Sequence, residues 1–359
     1  MKRSTYLLGI ILFLTNYSIA SAQVKNWTHF GLRPLAMGNA YVAVADDFNA
    51  VFYNPAGLAR LNDWYFELFN PGLTVSKGAI DFFSDVSENT SKESDLVDTI
   101  EESAGEAFTA KAMINSYFVK KNFGFAIGLD AGTTASIHRD LSTSLNASAD
   151  AIIPLAMAMN FLDGKLSVGA SLKARATAGV NDNFGIDVIG DIDEGTDAFK
   201  NYLKSGLGFG VDFGVLFSPF KYMSPTLGLS ITDLGSTHFN AISSLKEYSG
   251  TAPIVLPSVN LGLSLKPVQV SYFYLRTSVD MHSINQPYSF SQKLNLGLEA
   301  GLGQILKAQL GMHNGYYTAG LQFDIMVIKL RAVTYAEEIG DYAGQQEDRR
   351  YALQVKILI

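Results

Sequence analysis

The side chains best able to do chemistry in this chain are charged groups set at alternate positions within apolar stretches. Lys173, Arg175, Arg276, Lys293, Lys329, Arg331 and Lys356 fall on the polar phase of such stretches, together with Asp130, Asp212, Asp280, Glu299 and Asp324. A period of two puts all of them on one face of their strands. A basic face attracts carboxylates. Mixed charges confined together also pair with one another. Both outcomes stay open at this stage, and Asp46 and Asp47 are candidate partners for the bases. Catalysis finds little footing. His29, His138, His238, His282 and His313 lack a metal-binding spacing, and there is no Gly-x-Ser-x-Gly elbow, phosphate loop or cysteine. The chain is read as a non-enzyme without metal or cofactor.

The elements that would hold these groups are strands. Apolar residues make up 48% of the chain and charged residues only 17%, with 32 glycines. That excludes disorder and is poor in charge for a soluble domain. After residue 22 no apolar run approaches the length of a membrane-spanning helix. Instead, Leu207, Phe209, Val211, Phe213 and Val215 alternate with Gly208, Gly210, Asp212 and Gly214. Leu166, Val168, Ala170, Leu172 and Ala174 alternate with Ser167, Gly169, Ser171 and Lys173. The apolar phases are bulky throughout and the polar phases small, as in a tilted transmembrane strand with a lumenal face.

Fourteen strands are expected, at about 62–70, 109–120, 122–137, 144–161, 165–178, 206–218, 223–233, 256–266, 270–281, 292–302, 305–312, 315–324, 326–336 and 349–358. An even count and connectors that alternate between short and mostly long, with only 313–314 tight on the long side, fit a bacterial outer-membrane barrel. Lys2 and Arg3, an apolar core from Tyr6 to Leu14 and Ala20-Ser21-Ala22 read as a signal peptide over 1–22. Its removal makes the formal charge of −7 two units more negative, which argues against nucleic acid as a partner.

Three connectors carry helical spacing. Phe199, Tyr202 and Leu203 form one apolar stripe; Phe239, Ile242, Leu245 and Tyr248 form another; Leu96–Phe108 is strongly acidic and reads as a solvated lid.

Residues 31–59 do not alternate. They run from Ala36-Met37-Gly38 through Ala45-Asp46-Asp47 to Phe52-Tyr53-Asn54-Pro55-Ala56-Gly57-Leu58. This order and spacing resembles the N-terminal hatch of the FadL family of outer-membrane transporters, and equally that of the related PorV/PorQ group. The stretch from Tyr335 to Gly340 and Asp348-Arg349-Arg350-Tyr351 resembles the last hairpin of that superfamily.

The resemblance implies an all-β, 14-stranded antiparallel transmembrane barrel, with a hatch over 23–61 and the barrel over 62–359. It also implies a bacterial outer-membrane location and a monomer surrounded by outer-membrane lipid. In FadL-like members small hydrophobic molecules such as long-chain fatty acids diffuse inward. On that reading Phe199, Tyr202, Leu203, Phe239, Ile242 and Leu245 capture ligand, and Asp46, Asp47, Asn54, Pro55, Ala56 and Gly57 form the gate. Lys173, Arg175, Arg276 and Arg331 then line the lumen. In PorV-like members the partners are secreted proteins.

Overall fold

The alternating stretches form strands because each offers one bulky face and one small face to the two sides of a sheet. The computed structural model describes residues 31–89, 105–138, 142–185, 202–242, 250–303, 305–325, 328–340 and 344–357. Its strands are β1 (Tyr65–Ser76), β2 (Ala107–Lys120), β3 (Phe123–Ile137), β4 (Thr143–Phe161), β5 (Leu166–Phe184), β6 (Lys204–Phe217), β7 (Thr226–Thr232), β8 (Phe239–Asn240), β9 (Gly250–Thr251), β10 (Ser258–Gln269), β11 (Phe273–Met281), β12 (Leu294–Leu302), β13 (Leu306–His313), β14 (Tyr316–Ile325), β15 (Ile328–Glu338) and β16 (Glu347–Ile357). The long strands pair antiparallel with their chain neighbours. Strand β7 meets β10 across the two short pieces, and β1 meets β16. The result is a closed barrel of fourteen long strands, and the even count is what lets the first and last pair antiparallel.

Mostly short turns join the strands at the end where β1 begins, which we term the turn end; longer connectors lie at the opposite, loop end, except for the tight turn Asn314-Gly315 between β13 and β14. Outward residues such as Met157, Leu172, Phe209, Leu310 and Leu353 are exposed along the strands, and no helix among the described residues is long and apolar enough to cross a membrane.

Strand β1 runs on past its expected end at residue 70. Asn70-Pro71-Gly72, a turn former by composition, stays in the ladder opposite Asn115, Ile114 and Met113, because a register shift between Glu67 and Asn70 absorbs the irregularity. The first long connector also differs. Its described helix is α3 (Lys77–Asn89), whereas Phe108 belongs to β2 and residues 96–104 lie outside the described residues. The Ser76 Oγ starts that helix by accepting from the backbone N–H of Ala79 at 3.2 Å.

Residues 31–61 fill the barrel interior; residues 1–30, including the expected signal peptide, lie outside the described residues. This lumenal segment holds α1 (Leu32–Ala36), α2 (Ala50–Tyr53) and a 3-10 helix over Pro55–Arg60. Its aromatic side chains pack on the wall: Phe48 and Phe52 meet Tyr117 at ring-centroid distances of 4.4 and 6.1 Å. Leu32, Leu35 and Ala36 pack with Met113, Val333 and Tyr335.

The wall can approach the segment's backbone because its inward positions are glycine where they meet. Gly169 and Gly214 are cross-strand partners facing Asn54, Pro55 and Ala56; Gly297 and Gly311 are partners facing Met37 and Gly38. A Cβ on Gly311 would lie 2.3 Å from the backbone nitrogen of Gly38. Gly311→Val is therefore expected to cost about 1–3 kcal/mol by overpacking. It should appear as a lower unfolding temperature in heat-modifiable gel migration. Gly250→Ala, whose Cβ would meet only Lys204 Cγ at 3.6 Å, should leave that temperature unchanged.

Candidate functional site

The chemistry that sequence alternation placed on one face does converge in the lumen, but most of it is paired. The centre is Arg33, from α1. Its Nε and Nη2 donate to the two carboxylate oxygens of Glu299 on β12 at 2.7 and 2.6 Å. Its Nη1 donates to the Tyr41 hydroxyl at 2.7 Å and to Asp46 and Asp47 at 2.9 Å each. Arg276 on β11 bonds the other oxygen of Asp46. One cation of the lumenal segment thus joins two of its own acids to an acid on the wall, in a site where charge-assisted bonds are strong.

Burial opposes ionisation of Asp46, but Arg276 and Arg33 prevail and hold its carboxyl well below the usual carboxylate range. A depressed folded-state value means that Asp46 supports the seating of the segment above the ordinary aspartate pKa of about 3.9, and loses that role only as pH falls toward its own lower value. Ion conductance of the reconstituted protein should therefore stay constant between pH 7 and about pH 4 and rise only in stronger acid. A rise beginning near pH 6 would contradict this.

Asn54, Pro55, Ala56 and Gly57 form a clamp. The Asn54 amide donates to the Val42 carbonyl at 2.8 Å and, at 3.3 Å, to the carbonyls of Val215 on β6 and Leu229 on β7. Its Oδ1 accepts from the Ala56 N–H at 3.2 Å. A Cβ on Gly57 would stand 1.9 Å from the Ala45 carbonyl oxygen, so no larger residue fits. Further ties hold the segment around the wall. Val42 N–H donates to Asp280, Ser230 to the Tyr53 carbonyl, Asn160 to the Ala59 carbonyl and Gly38 N–H to Thr318.

The expected lumenal bases fare differently. Lys173 pairs with Asp212 at 2.7 Å and Asp233 at 3.0 Å, Arg175 with Asp150 at 3.0 Å, and Arg276 with Asp46. Arg331 instead donates to the side-chain carbonyl oxygens of Gln322 and Gln354. Of the loop residues expected to capture ligand, Phe199 and Leu245 lie outside the described residues. Tyr202 packs edge-on against Phe184 at 4.9 Å. Leu203 and Ile242 are half-buried. Phe239 is not helical: it lies in β8, paired to Gly208 of β6, and is buried where the inward face of β6 is all glycine. The missing side chains on Gly206 and Gly208 make room for its ring, which overrides the helical spacing.

That stretch marks an interruption of the wall. Strand β6 pairs with β7 over only five residue pairs, Phe213–Phe217 against Leu227–Ile231. Beyond it, Asp233, Gly235 and Ser236 take left-handed φ values of 54°, 82° and 71°. Chain pairing then resumes one step on, with Thr237 bridging Val255 and β8 against β6.

At the turn end, below Arg33, lies a cavity of about 1060 Å³. It is lined by seven basic and four acidic side chains, among them Lys266, Lys307 and Arg331, with apolar Phe48, Val270, Ile305 and Ile325. The signal for Lys307 was in the sequence, since it shares the inward phase of Gln309, Gly311 and His313. Arg33 gave no such signal, because its segment does not alternate.

The fold is that of FadL-like transporters. The barrel is similar to the CymD monoaromatic hydrocarbon channel, with a TM-score of 0.55 at 12% identity over 93% of this chain and 98% of that one. It is similar also to the Ralstonia pickettii toluene transporter TbuX, at 0.53 and 13% over 94% and 100%. The Pseudomonas putida toluene transporter TodX gives 0.51 and 13% over 93% and 98%. These neighbours are channels and transporters rather than enzymes. No curated protein sequence matches the chain. A family model described as "F plasmid transfer operon, TraF, protein" matches residues 118–324, more than half of the chain, and the chain belongs to that family.

Proposed function

We propose that this protein is a monomeric bacterial outer-membrane barrel that admits hydrophobic small molecules by diffusion. Residues 1–22 direct export, 23–61 act as a hatch and 62–359 form the barrel, with the turn end in the periplasm and lipid against the apolar outer band. Tyr202, Leu203, Phe239 and Ile242, with Phe199 and Leu245, would collect ligand at the loop end, and the clamp Asn54–Gly57 with Asp46 and Asp47 would gate it.

The observation that carries this reading is the filled lumen. Residues 31–61 are almost wholly buried against the wall. A water-filled pore for polar solutes would need that space open, whereas an apolar solute can also leave sideways through a locally unpaired wall into lipid. Solved structures of like fold bear the names of toluene transporters and a monoaromatic hydrocarbon channel, which supports this class of cargo. They lend none to the PorV-like secretion alternative. The family description names a plasmid transfer operon, but a filled lumen in a chain of charge −7 favours no nucleic-acid cargo.

The test is uptake of labelled toluene and of labelled oleate by cells expressing the protein, with and without deletion of Asn54–Gly57. Uptake of either compound above that of cells lacking the protein, changed by the deletion while the barrel stays folded, is the expected result. No uptake of either compound would end the proposal.

A further inference from the structure

The turn-end cavity differs from the rest of the lumen in one respect: its cations are not all neutralised. Lys356 pairs with Glu67 and Lys329 with Asp324, while Arg33 and Arg276 share Glu299 and Asp46. Lys266, Lys307 and Arg331 have no carboxylate partner among the described residues. Two of these sit in one row around the wall. Lys307 on β13 is the cross-strand partner of Gln322 on β14, Gln322 of Arg331 on β15, and Arg331 of Gln354 on β16. Strands stand about 4.8 Å apart, so Lys307 and Arg331 arise roughly 10 Å from each other on the same face.

The row offers donors almost exclusively. Both acceptor oxygens of Gln322 and Gln354 are taken by Arg331. The lining is mixed, and Phe48, Val270, Ile305 and Ile325 give it apolar surface in the same cavity as the cations. A bare oxyanion has no use for such surface; a carboxylate with an apolar body uses both.

We propose that the turn-end cavity binds an amphipathic carboxylate, with its charged group on Lys307 and Arg331 and its aromatic or short aliphatic body against Phe48, Val270 and Ile305. Lys266 on the facing strand β10 adds positive charge across the cavity. The inference names a ligand for the lumen proposed above to carry hydrophobic compounds, and it rests on that reading only for the ligand's route of arrival.

The experiment measures binding, not flux. The purified full-length barrel in detergent is titrated calorimetrically with benzoate, toluene and inorganic phosphate. Benzoate should bind more tightly than either, and more weakly as salt is raised. Lys307→Gln and, separately, Lys266→Gln should each weaken benzoate about three- to tenfold and leave toluene unchanged, with heat-modifiable migration showing the variants folded. Benzoate binding no tighter than toluene, phosphate binding as tight as benzoate, or variants that bind benzoate like the wild type would each overturn the proposal. Toluene uptake without benzoate binding sinks this inference alone. Benzoate binding without uptake of either hydrophobic compound sinks the transport reading and leaves this one standing.

Discussion

Arg33→Ala should turn a closed barrel into a leaking one. In planar bilayers the wild type is expected to show little ionic conductance and the variant stepwise channel openings, while both keep the heat-modifiable migration of a folded barrel. Arg33 is 5% exposed and neutralises Glu299, Asp46 and Asp47 together. Without it, Arg276 is the one cation still paired with Asp46 and Glu299 among the described residues, and Asp47 keeps only its bonds to Asn49. Removing one partner of a buried charge pair costs about 3–5 kcal/mol, because the remaining charges stay desolvated. At about 1.4 kcal/mol per factor of ten, the unseated population should rise on the order of a hundred- to a thousandfold. The strands have their own ladders and should survive. Glu299→Gln removes one acid and keeps the shape, so it should leak less than Arg33→Ala. An Arg33→Ala variant as tight to ions as the wild type would show that the charge cluster does not hold the segment.

The same residues show how far the sequence could be read. The strands were legible because each alternates over enough residues that a slip would turn a bulky face inward; β4 and β5, paired over nineteen residues, are the extreme case. Local composition misled at Asn70-Pro71-Gly72, where a bulge outweighs turn-forming residues, and at Phe239, where neighbouring glycines on β6 outweigh helical spacing. Glu299 and Arg276 could be placed in the lumen by phase alone. Their shared partners could not, since Arg33, Asp46 and Asp47 lie in a stretch whose fold is set by the wall around it. Lys173 shows both sides: its inward phase was readable, but its pairing with Asp233 depends on a backbone detour that no alternation announces.

That detour supports the second large effect. Lys173→Met should loosen the wall between β6 and β10 and raise passage of apolar solutes. Strand β7 ends after Thr232, and Asp233 and Ser236 then hold left-handed conformations costing about 1–3 kcal/mol each for residues with a side chain. What holds them is a buried knot. Lys173 Nζ bonds Asp212 and Asp233, the Asp233 N–H donates to Asp212 Oδ1 at 2.8 Å, and the Thr237 hydroxyl donates to Asp233 Oδ1 at 2.6 Å. With the lysine gone, two adjacent carboxylates remain in a space with no other cation bonded to them among the described residues, at a cost again of about 3–5 kcal/mol. The local ladder can yield most easily here, because β6 above Asp212 has only the two-residue strands β8 and β9 to replace a continuous neighbour.

The chain has no cysteine, so Ala252→Cys is a single reporter at a buried position tied to β6 and outside the knot. In the otherwise native protein a water-soluble maleimide should label it slowly; with Lys173→Met the rate should rise at least tenfold, and toluene uptake with it. Adding Asp212→Asn and Asp233→Asn to Lys173→Met removes all three charges and should restore protection, since replacing every member of a buried charge group is far less costly than removing one. Unchanged labelling in Lys173→Met would mean that the left-handed turn is held by its backbone alone. Equal labelling in the charge-free triple substitution would assign the effect to lost packing around Gly210, whose absent Cβ leaves room for the Thr237 hydroxyl and the Lys173 stem.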